Sequence, residues 1–251
     1  MNTDELKWCR AIPGKLNCSN EIQVWLVCLD ASTHQTESLL GILSADELAR
    51  SRRFRFERDQ NRFIAARGIL RNILGCYLGK NPRELRFEYT PHGKPGLAAN
   101  SGYDTLCFNL SHSDAFALYA VARGRNIGID IERVRDDVAV EQIARRFFSQ
   151  GEISSLERID KNKRSELFFQ YWTRKEAFLK AMGKGVSFPM ERVDVSLLSG
   201  RIPSPITLPG DNTESSSWYG QDLFPGRGYA AAIAVEGSDW DLSYWHYSVE
   251  A

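Results

Sequence analysis

The sequence predicts an α+β protein. Segments with helical periodicity and segments with the alternation of half-buried strands follow one another without the regular βαβ rhythm of a parallel sheet. Each half of the chain runs roughly from helices to strands. With 251 residues, of which 43% are hydrophobic, the chain is long enough to bury the core of one large domain or two small ones.

The overall charge and the cysteines narrow the class of protein. The chain has 32 basic and 32 acidic residues, a balance that argues against a nucleic-acid coat or a membrane-surface protein but permits local charged patches. Its sequence has no apolar run as long as a transmembrane helix, and it begins without an apolar signal sequence. The five cysteines are odd in number, lie far apart and show no CxxC pattern, so we expect reduced thiols and a cytoplasmic location.

The first half of the chain opens with a strand and continues with helices. Apolar residues alternate over Ile22–Leu29, which predicts a strand. Ser44 to Glu47 form a capping box that starts a helix. A second helix is predicted over Asp59–Leu78, where apolar residues recur at intervals of three and four, and Gly79 ends it. Asn81 and Pro82 then predict an N-cap with proline at the first helical position.

Strands dominate the middle of the chain. A loop rich in glycine and proline, Thr90–Gly96, separates the first strand from the others. The turn Arg123–Asn126 predicts a hairpin between the last two strands. The four predicted strands are Leu85–Thr90, Leu106–Leu110, Ala115–Ala122 and Ile127–Glu132.

The remainder repeats the order of helices followed by strands. A second capping box, Ser149 to Glu152, starts a helix. Residues 201–217 are rich in Pro, Ser, Gly and Asn and predict an exposed loop. The other predicted elements are the helices Val138–Phe148 and Ser165–Met182, the latter stopped by Gly183, and the closing strands Tyr229–Val235 and Leu242–Ser248.

Two carboxylates on one strand are the first candidate site. Asp130 and Glu132 point to the same face of the predicted strand at a separation of about 7 Å. Like charges at that distance repel unless a cation lies between them, and oxygen ligands favour Mg²⁺ or Mn²⁺. The alternative is a solvated edge strand whose acids pair with Arg133 and Arg135.

The long helix after residue 164 carries the second candidate. Trp172, Glu176 and Lys180 are spaced four residues apart and share one stripe of the helix. Glu176 is a candidate third metal ligand, and Lys180, one turn later, a candidate phosphate ligand. The alternative is a packed helix on which Glu176 and Lys180 form an exposed ion pair of small energy.

A run of arginines is the third candidate. Eight arginines stand against only Glu57 and Asp59 between residues 50 and 71, and arginine suits bidentate phosphate contacts. The alternative is a solvated helical face. Lys94 and the Ser111–Ser113 segment are further candidate anion ligands. Together the three features predict a divalent metal held by carboxylates among basic groups, as a phosphate or pyrophosphate substrate requires. The arginines are Arg50, Arg52, Arg53, Arg55, Arg58, Arg62, Arg67 and Arg71.

Three motifs in this order resemble a known family. They are the segment FNLSHS at Phe108–Ser113, the segment GIDIE at Gly128–Glu132, and the helix WTRKEAFLK at Trp172–Lys180 followed by Gly183–Gly185. The resemblance extends from about Ser44 to Pro189. It is to the 4'-phosphopantetheinyl transferase superfamily, of the surfactin-synthetase-activating type.

The resemblance implies a fold and an activity. The fold is a monomer of two similar α+β halves related by a pseudo-twofold, residues 1–124 and 125–251, with coenzyme A in the cleft between them. The activity is Mg²⁺-dependent transfer of the 4'-phosphopantetheine arm of coenzyme A to a serine of an apo acyl or peptidyl carrier protein. The second product is adenosine 3',5'-bisphosphate, and neither a nucleic acid nor a membrane is a partner.

The resemblance also implies roles for individual residues. Asp130, Glu132 and Glu176 would hold the metal. Asp130, Glu176 and Lys180 would form the catalytic group, with Lys180 on the pyrophosphate and either Glu176 or a metal-bound water as the base. Trp172 would pack under the site. Coenzyme A would be bound by Arg50, Arg53, His92, Gly93, Lys94, Pro95, Leu110, Ser111 and His112, together with Asp130, Glu176 and Lys180.

Three positions depart from the family pattern or extend it. Glu47 replaces a basic residue, Phe63 replaces a small hydroxyl residue that contacts coenzyme A, and Glu152 is a candidate additional acid.

Two other functions would use the candidate carboxylates or the arginine run. One is a metal-dependent phosphodiesterase or nuclease, and the other is a nucleic-acid-binding module that uses Arg50–Arg71 and leaves the carboxylates without a role.

Overall fold

The computed structural model describes most of the chain. The described residues are 8–11, 14, 16, 18, 20–91, 93–98, 105–185, 188–196, 198, 200, 202–206 and 218–247. The helices are α1 (Thr33–Leu40), α2 (Ala45–Ser51), α3 (Glu57–Leu78), α4 (Val140–Phe147), α5 (Gln150–Arg158) and α6 (Arg164–Met182). The strands are β1 (Cys9–Ala11), β2 (Glu21–Cys28), β3 (Phe87–Tyr89), β4 (Pro95–Leu97), β5 (Leu106–Ser113), β6 (Phe116–Arg123), β7 (Ile127–Arg133), β8 (Ser204–Pro205), β9 (Trp218–Leu223), β10 (Tyr229–Glu236) and β11 (Asp241–Tyr247).

Two sheets repeat one pattern of pairing. The first has the order β1-β11-β2-β6-β5 and the second the order β7-β10-β9-β8, while β3 and β4 form a separate ribbon. β2 pairs antiparallel with β6, which pairs antiparallel with β5. In the same way β7 pairs antiparallel with β10, which pairs antiparallel with β9. The order β2-β6-β5 therefore corresponds to β7-β10-β9. The prediction of an α+β fold with two similar halves is confirmed.

Three apolar clusters separate the layers. The central cluster lies between the two sheets and includes Val24 of β2 and Ile129 of β7. A second cluster packs α3 on the outer face of the first sheet, and a third packs α6 on the outer face of the second. The order of layers is therefore helix, sheet, sheet, helix.

The long helices end where the sequence predicts. Gly79 and Gly183 follow α3 and α6 with φ of 61° and 69°, the left-handed conformation that glycine adopts without a steric penalty. Asn81 caps a short 3₁₀ turn, Pro82–Glu84, through its side chain, as predicted. In the described residues no helix is both long enough and apolar enough to cross a bilayer.

The hairpin predicted at Arg123–Asn126 is wrong. β6 ends at Arg123 in the first sheet and β7 begins at Ile127 in the second, so the turn carries the chain from one sheet to the other. Both strands have antiparallel partners elsewhere, since β6 lies between β2 and β5 and β7 pairs with β10. The two neighbours in sequence pack face to face instead of sharing an edge.

Other differences are local. The strand predicted over Leu85–Thr90 is limited to Phe87–Tyr89, and its partner β4 lies partly in the segment predicted as a loop. The loop predicted at 201–217 contains β8, while 207–217 lie outside the described residues. The division of the chain at residues 124 and 125 stays a prediction. One strand departs from it, because β11 joins the first sheet beside β2.

Each of the two capping boxes contains a glutamate that forms a buried ion pair with the long helix of its half. In the first half, the backbone amide of Ser44 donates to Glu47, which is 2% exposed. The Arg71 side chain on α3 donates to Glu47 Oε2 over 2.6 Å and to the carbonyl oxygens of Pro82 and Leu85. Glu47 therefore belongs to a structural ion pair, which accounts for the departure from a basic residue at this position.

The second half contains the same arrangement. The backbone amide of Ser149 donates to Glu152, whose side chain is fully buried. Lys175 on α6 lies 2.9 Å from Glu152 Oε2 and donates to the carbonyl oxygens of Met190 and Val193. Glu152 is thus the structural counterpart of Glu47. Its bonds go to Ser149, Lys175 and the backbone amide of Val195.

Gly128 allows α6 to lie against β7. A Cβ atom at this position would stand 2.0 Å from the carbonyl oxygen of Ala177 and 2.3 Å from the amide nitrogen of Ala181. Both are backbone atoms of α6, so no side-chain rotation relieves the overlap. The helix has to move away from the strand before any larger residue fits.

We expect Gly128→Ala to destabilise the protein by about 3 kcal/mol, at the upper end of the usual cost of overpacking, because the clash is with helix backbone. Urea unfolding measures the change. Gly151→Ala is the matched control, since its Cβ would meet nothing closer than 3.7 Å. Equal stability of the two variants would contradict the close packing of α6 on β7.

We expect Glu152→Gln to cost about 3–5 kcal/mol, because it leaves Lys175 charged and buried without its partner. Replacing Lys175 by Met in the same chain should restore part of this loss, since the unpaired charge is then removed. Urea unfolding of both variants checks the pair. A loss below about 1 kcal/mol in the single variant would show that Glu152 is not a structural partner of Lys175.

Candidate active site

A cleft between the two halves collects most of the predicted site residues. Its volume is about 560 Å³, and its walls come from α2, α3, β5 and the loop before β4 on one side and from α6 on the other. The lining residues are Arg50, Phe54, Phe63, Ala66, Arg67, Tyr89, Gly93, Lys94, Pro95, Asn109, Leu110, Ser111, His112, Glu176, Leu179, Lys180, Gly183 and Gly185.

The floor of this cleft is formed by Lys180 and Ser111, which bind Asp130 buried beneath them. Neither Asp130 nor Glu132 is part of the cleft lining. Lys180 Nζ lies 2.7 Å from Asp130 Oδ1, and Ser111 Oγ donates to the same oxygen over 2.7 Å. Lys180 Nζ also donates to Ser111 Oγ over 2.9 Å. The three side chains come from β5, β7 and α6, so the network joins the two halves.

The second carboxylate oxygen of Asp130 has no hydrogen-bond partner although it is buried. A buried acceptor without a partner costs free energy, and a cation beside it would remove that cost. Oxygen donors of this kind suit Mg²⁺ or Mn²⁺. The residues present therefore fit a divalent metal at this oxygen.

Glu132 and Glu176 share the electrostatic environment of Asp130. Loss of hydration on burial raises the pKa of Glu176, and repulsion by Asp130 and Glu132 adds to this while Lys180 opposes it. Burial likewise raises the pKa of Glu132; a hydrogen bond from Ser113 opposes that rise, and repulsion by Asp130 adds to it. Carboxylates that destabilise one another in this way are typical of a site that receives a cation.

The predicted triad of metal ligands is not assembled in this structure. Within the described part of the chain, no three His, Cys, Asp or Glu side chains converge closely enough to hold a metal ion. Lys180 occupies one oxygen of Asp130 instead. The assignment of Asp130, Glu132 and Glu176 to the metal stays a prediction.

The predicted nucleotide ligands divide into three groups. Gly93, Pro95 and Leu110 line the cleft, as do the charged candidates Arg50, Lys94 and His112. Arg53 is exposed on the turn after α2 and lies outside the lining. His92 falls outside the described residues.

Lys94 and His112 have particular environments. The Lys94 ammonium donates to the carbonyl oxygens of Lys180, over 2.6 Å, and Ile127, over 3.2 Å. It thereby ties the end of α6 to the start of β7.

Loss of hydration and the positive charges of Lys180 and Arg50 lower the pKa of His112, so its ring is mainly neutral at pH 7. A phosphate between these groups would favour the charged ring.

The arginine run is not a single basic face. Arg67 and Arg71 are buried and both bind Glu47. Arg62 binds Asp30 and Asp114 at 2.7 and 2.6 Å. Acids outside the run therefore pair with three of the eight arginines, while the other five stay exposed, namely Arg50, Arg52, Arg53, Arg55 and Arg58.

Arg67 and Phe63, both singled out in the sequence, lie in the cleft lining beside Phe54 and Tyr89, which were not predicted. Arg67 bonds the Tyr89 hydroxyl over 2.8 Å at the cleft wall. Phe63 packs on Phe54, with ring centroids 5.3 Å apart, and lies under the guanidinium of Arg50. The positions of Gly183 and Gly185, in the third motif, were the available sequence signal for the rim of the cleft. Nothing in the sequence distinguishes Tyr89 or Phe54 from core aromatics.

Two further predictions concern Glu152 and Trp172. Glu152 is not an additional acid of the site, because its carboxylate is occupied by Lys175 and by the backbone amides of Ser149 and Val195. Trp172 packs against Phe147 and Phe168 on α4 and α6, one turn before Glu176. It supports the helix that carries the site.

Comparison with known proteins finds matches to both halves of the chain. Residues 126–234 match the family model described as the 4'-phosphopantetheinyl transferase superfamily, and residues 29–123 match the model described as 4'-phosphopantetheinyl transferase, N-terminal. The two matches meet near the predicted junction of the halves.

Curated relatives span nearly the same length. The chain is 39% identical to 4'-phosphopantetheinyl transferase HetI of Nostoc sp., over 96% of this chain and 98% of the relative. It is 31% identical to 4'-phosphopantetheinyl transferase Sfp of Bacillus subtilis, over 83% and 89% of the two chains. It is 27% identical to L-aminoadipate-semialdehyde dehydrogenase-phosphopantetheinyl transferase of Xenopus laevis, over 84% and 70%.

The family matches over both α+β halves define the class of protein as a phosphopantetheinyl transferase. The chain belongs to the 4'-phosphopantetheinyl transferase superfamily. This membership confirms the resemblance seen in the three motifs and does not support the phosphodiesterase or nuclease alternative.

We expect Glu176→Gln to raise the melting temperature of the metal-free protein while lowering transfer at least about a hundredfold, which is about 2.7 kcal/mol in activation free energy. Because the pKa of Glu176 in the folded state lies above its ordinary value of 4.5, the charged side chain opposes folding. That penalty grows as the pH rises through the folded pKa, and it vanishes below pH 4, where the carboxyl group is protonated in both states.

Thermal melts in EDTA at pH 8 and pH 4, with a transfer assay at pH 8, check the expectation. The gain in melting temperature should appear at pH 8 and disappear at pH 4. A lower melting temperature for Glu176→Gln at pH 8 would show that Glu176 stabilises the fold and is not strained by its neighbours.

Proposed function

We propose that the protein transfers the 4'-phosphopantetheine arm of coenzyme A to a serine of an apo acyl or peptidyl carrier protein and releases adenosine 3',5'-bisphosphate. The observation that supports this most strongly is the floor of the cleft. There a lysine, a serine hydroxyl and a carboxylate with one unsatisfied oxygen meet beside basic groups. This set fits a pyrophosphate with its metal ion.

The basic residues of the cleft bind the nucleotide end. Arg50 and His112 lie on the wall formed by the first half, and Lys94 lies where the halves meet. They are suited to the 3'-phosphate, because its charge would offset the mutual repulsion of Arg50, Lys180 and His112. The aromatic rings of Phe63 and Tyr89 supply flat apolar surface in the same cleft.

Lys180 acts on the pyrophosphate. Its ammonium reaches the centre of the floor from the last turn of α6, where Ser111 and Asp130 orient it. A positive charge placed there stabilises the negative charge that develops on the leaving bisphosphate. Mg²⁺, which Asp130, Glu132 and Glu176 would hold, supplies further neutralisation of the pyrophosphate when bound.

The reaction is a displacement at the β-phosphate. The serine oxygen of the carrier forms a bond to phosphorus, the bond to the bridging pyrophosphate oxygen breaks, and its electron pair leaves with adenosine 3',5'-bisphosphate. The serine proton has to be accepted as this happens. Glu176 is the chain's own candidate base, because it lines the cleft on α6 one turn before Lys180.

The cleft is complete within one chain, since both of its walls come from the same polypeptide. We therefore propose that the active form is a monomer. The described cysteines Cys18, Cys28, Cys76 and Cys107 are free thiols, which supports the proposed cytoplasmic location.

We expect incubation with coenzyme A, Mg²⁺ and an apo carrier protein to add one phosphopantetheine group to the carrier, measured by intact-protein mass spectrometry. Asp130→Ala should abolish the addition, because it removes both the partner of Lys180 and the unsatisfied oxygen. A carrier whose acceptor serine is replaced by alanine controls for non-specific labelling. Failure to modify any of several acyl and peptidyl carriers, or full activity of Asp130→Ala, would refute the proposal.

A further inference from the structure

Ser113 is fixed by two hydrogen bonds at the end of β5. Its hydroxyl donates to Glu132 Oε2 over 2.7 Å and accepts from the backbone amide of Arg133 over 3.0 Å. Donor and acceptor are both used, so the side chain has one favoured orientation. Ser113 does not line the coenzyme A cleft but lies at its margin, beside His112.

The contact is the last of a series that joins the two halves. β5 and β7 belong to different sheets, and side chains at alternate positions of β5 bond to β7. Asn109 accepts from the backbone amide of Ile129 over 2.9 Å, and Ser111 donates to Asp130 over 2.7 Å. Ser113 continues the series to Glu132. β5 of the first half therefore orients both acids of β7, Asp130 and Glu132.

Glu132 has charges of both signs around it, since Asp130 repels its carboxylate while Lys180 and Arg135 attract it. Asp130 and Glu176 are both close enough to Glu132 to interact with it electrostatically. These charges alone do not fix one orientation of the carboxylate, because Lys180 and Arg135 both attract it. The Ser113 hydroxyl supplies a directed bond that does.

We propose that Ser113 is a positioning residue that holds the Glu132 carboxylate where it can share a divalent cation with Asp130. The inference rests on the proposed function for what the cation does in transfer, but the binding of the cation is measurable without transfer. Hydrogen-bond partners of metal ligands commonly change metal affinity by about 10–100-fold. Ser113→Ala should therefore weaken divalent cation binding about tenfold.

The direct test uses Mn²⁺ and the full-length protein with coenzyme A, with free Mn²⁺ measured by electron paramagnetic resonance. Ser113→Ala should weaken Mn²⁺ binding about tenfold, and Ser113→Thr should stay within about twofold of the wild type because it keeps the hydroxyl. Ser154→Ala is the matched control. Its hydroxyl bonds to the carbonyl oxygen of Gln150 within α5, so removing it should leave Mn²⁺ binding unchanged.

Transfer kinetics give a second readout that a general loss of structure would not reproduce. Ser113→Ala should raise the KM for Mg²⁺ about tenfold, with kcat at saturating Mg²⁺ reduced by less than about threefold. The affinity for coenzyme A in EDTA should be unchanged, because Ser113 is not part of the cleft lining. If Ser113→Ala does not fold, Ser113→Cys replaces it, since the thiol has similar size and is a weaker donor.

Three results would overturn the proposal. They are wild-type Mn²⁺ affinity in Ser113→Ala or its Cys replacement, an equal loss of affinity in Ser113→Thr, and a wild-type protein that binds no Mn²⁺. Ser113-dependent Mn²⁺ binding in a protein that modifies no carrier would instead refute the proposed function and leave the positioning role standing. The two ideas therefore fail separately.

Discussion

The packing of α6 against β7 is the constraint on which the site depends. Gly128 lets the helix backbone approach the strand so closely that no side chain fits between them. Asp130, two residues along the strand, then meets Lys180, which lies one turn after Glu176 on the helix. A motif of one glycine and two acids thus serves packing and chemistry together. The glycine sets the distance between β7 and α6, and this distance brings Asp130 into contact with Lys180.

The repeated halves explain how the two long helices are held and why this cleft has acids on one side. Each long helix is tied by a buried cation, Arg71 or Lys175, to its preceding capping box and to the 3₁₀ turn that follows it, Pro82–Glu84 or Met190–Arg192. The corresponding first strands differ, since β2 turns Trp25 and Val27 toward α3 where β7 turns its acids toward α6. One half therefore supplies the acids, while the other supplies Arg50 and His112.

Much of this was predictable from sequence because it depends on local rules. The glycine that ends α6, both capping boxes and the shared face of Asp130 and Glu132 follow from spacing alone. The pairing of β6 with β2, and the neutralisation of Arg67 by Glu47, depend on contacts between segments far apart in the chain. Periodicity carries no information about such contacts. For the same reason the repeat of buried ion pairs emerges only when the fold aligns Glu47 with Glu152.

The charges at the floor of the cleft couple the binding of a pyrophosphate to the binding of a divalent cation. Three acids, Asp130, Glu132 and Glu176, interact there with a single lysine of α6. Burial and repulsion between the acids raise the pKa of Glu132 and of Glu176, and one oxygen of Asp130 has no hydrogen-bond partner. Lys180 holds Asp130 as the structure stands. A pyrophosphate accompanied by a divalent cation would give Lys180 a phosphate partner and give the acids a stronger one. The pyrophosphate and the cation together thus give partners to both Lys180 and the acids, whereas either ion alone gives a partner to only one of them. Electrostatics of this kind favours binding the nucleotide and the metal together over binding either separately.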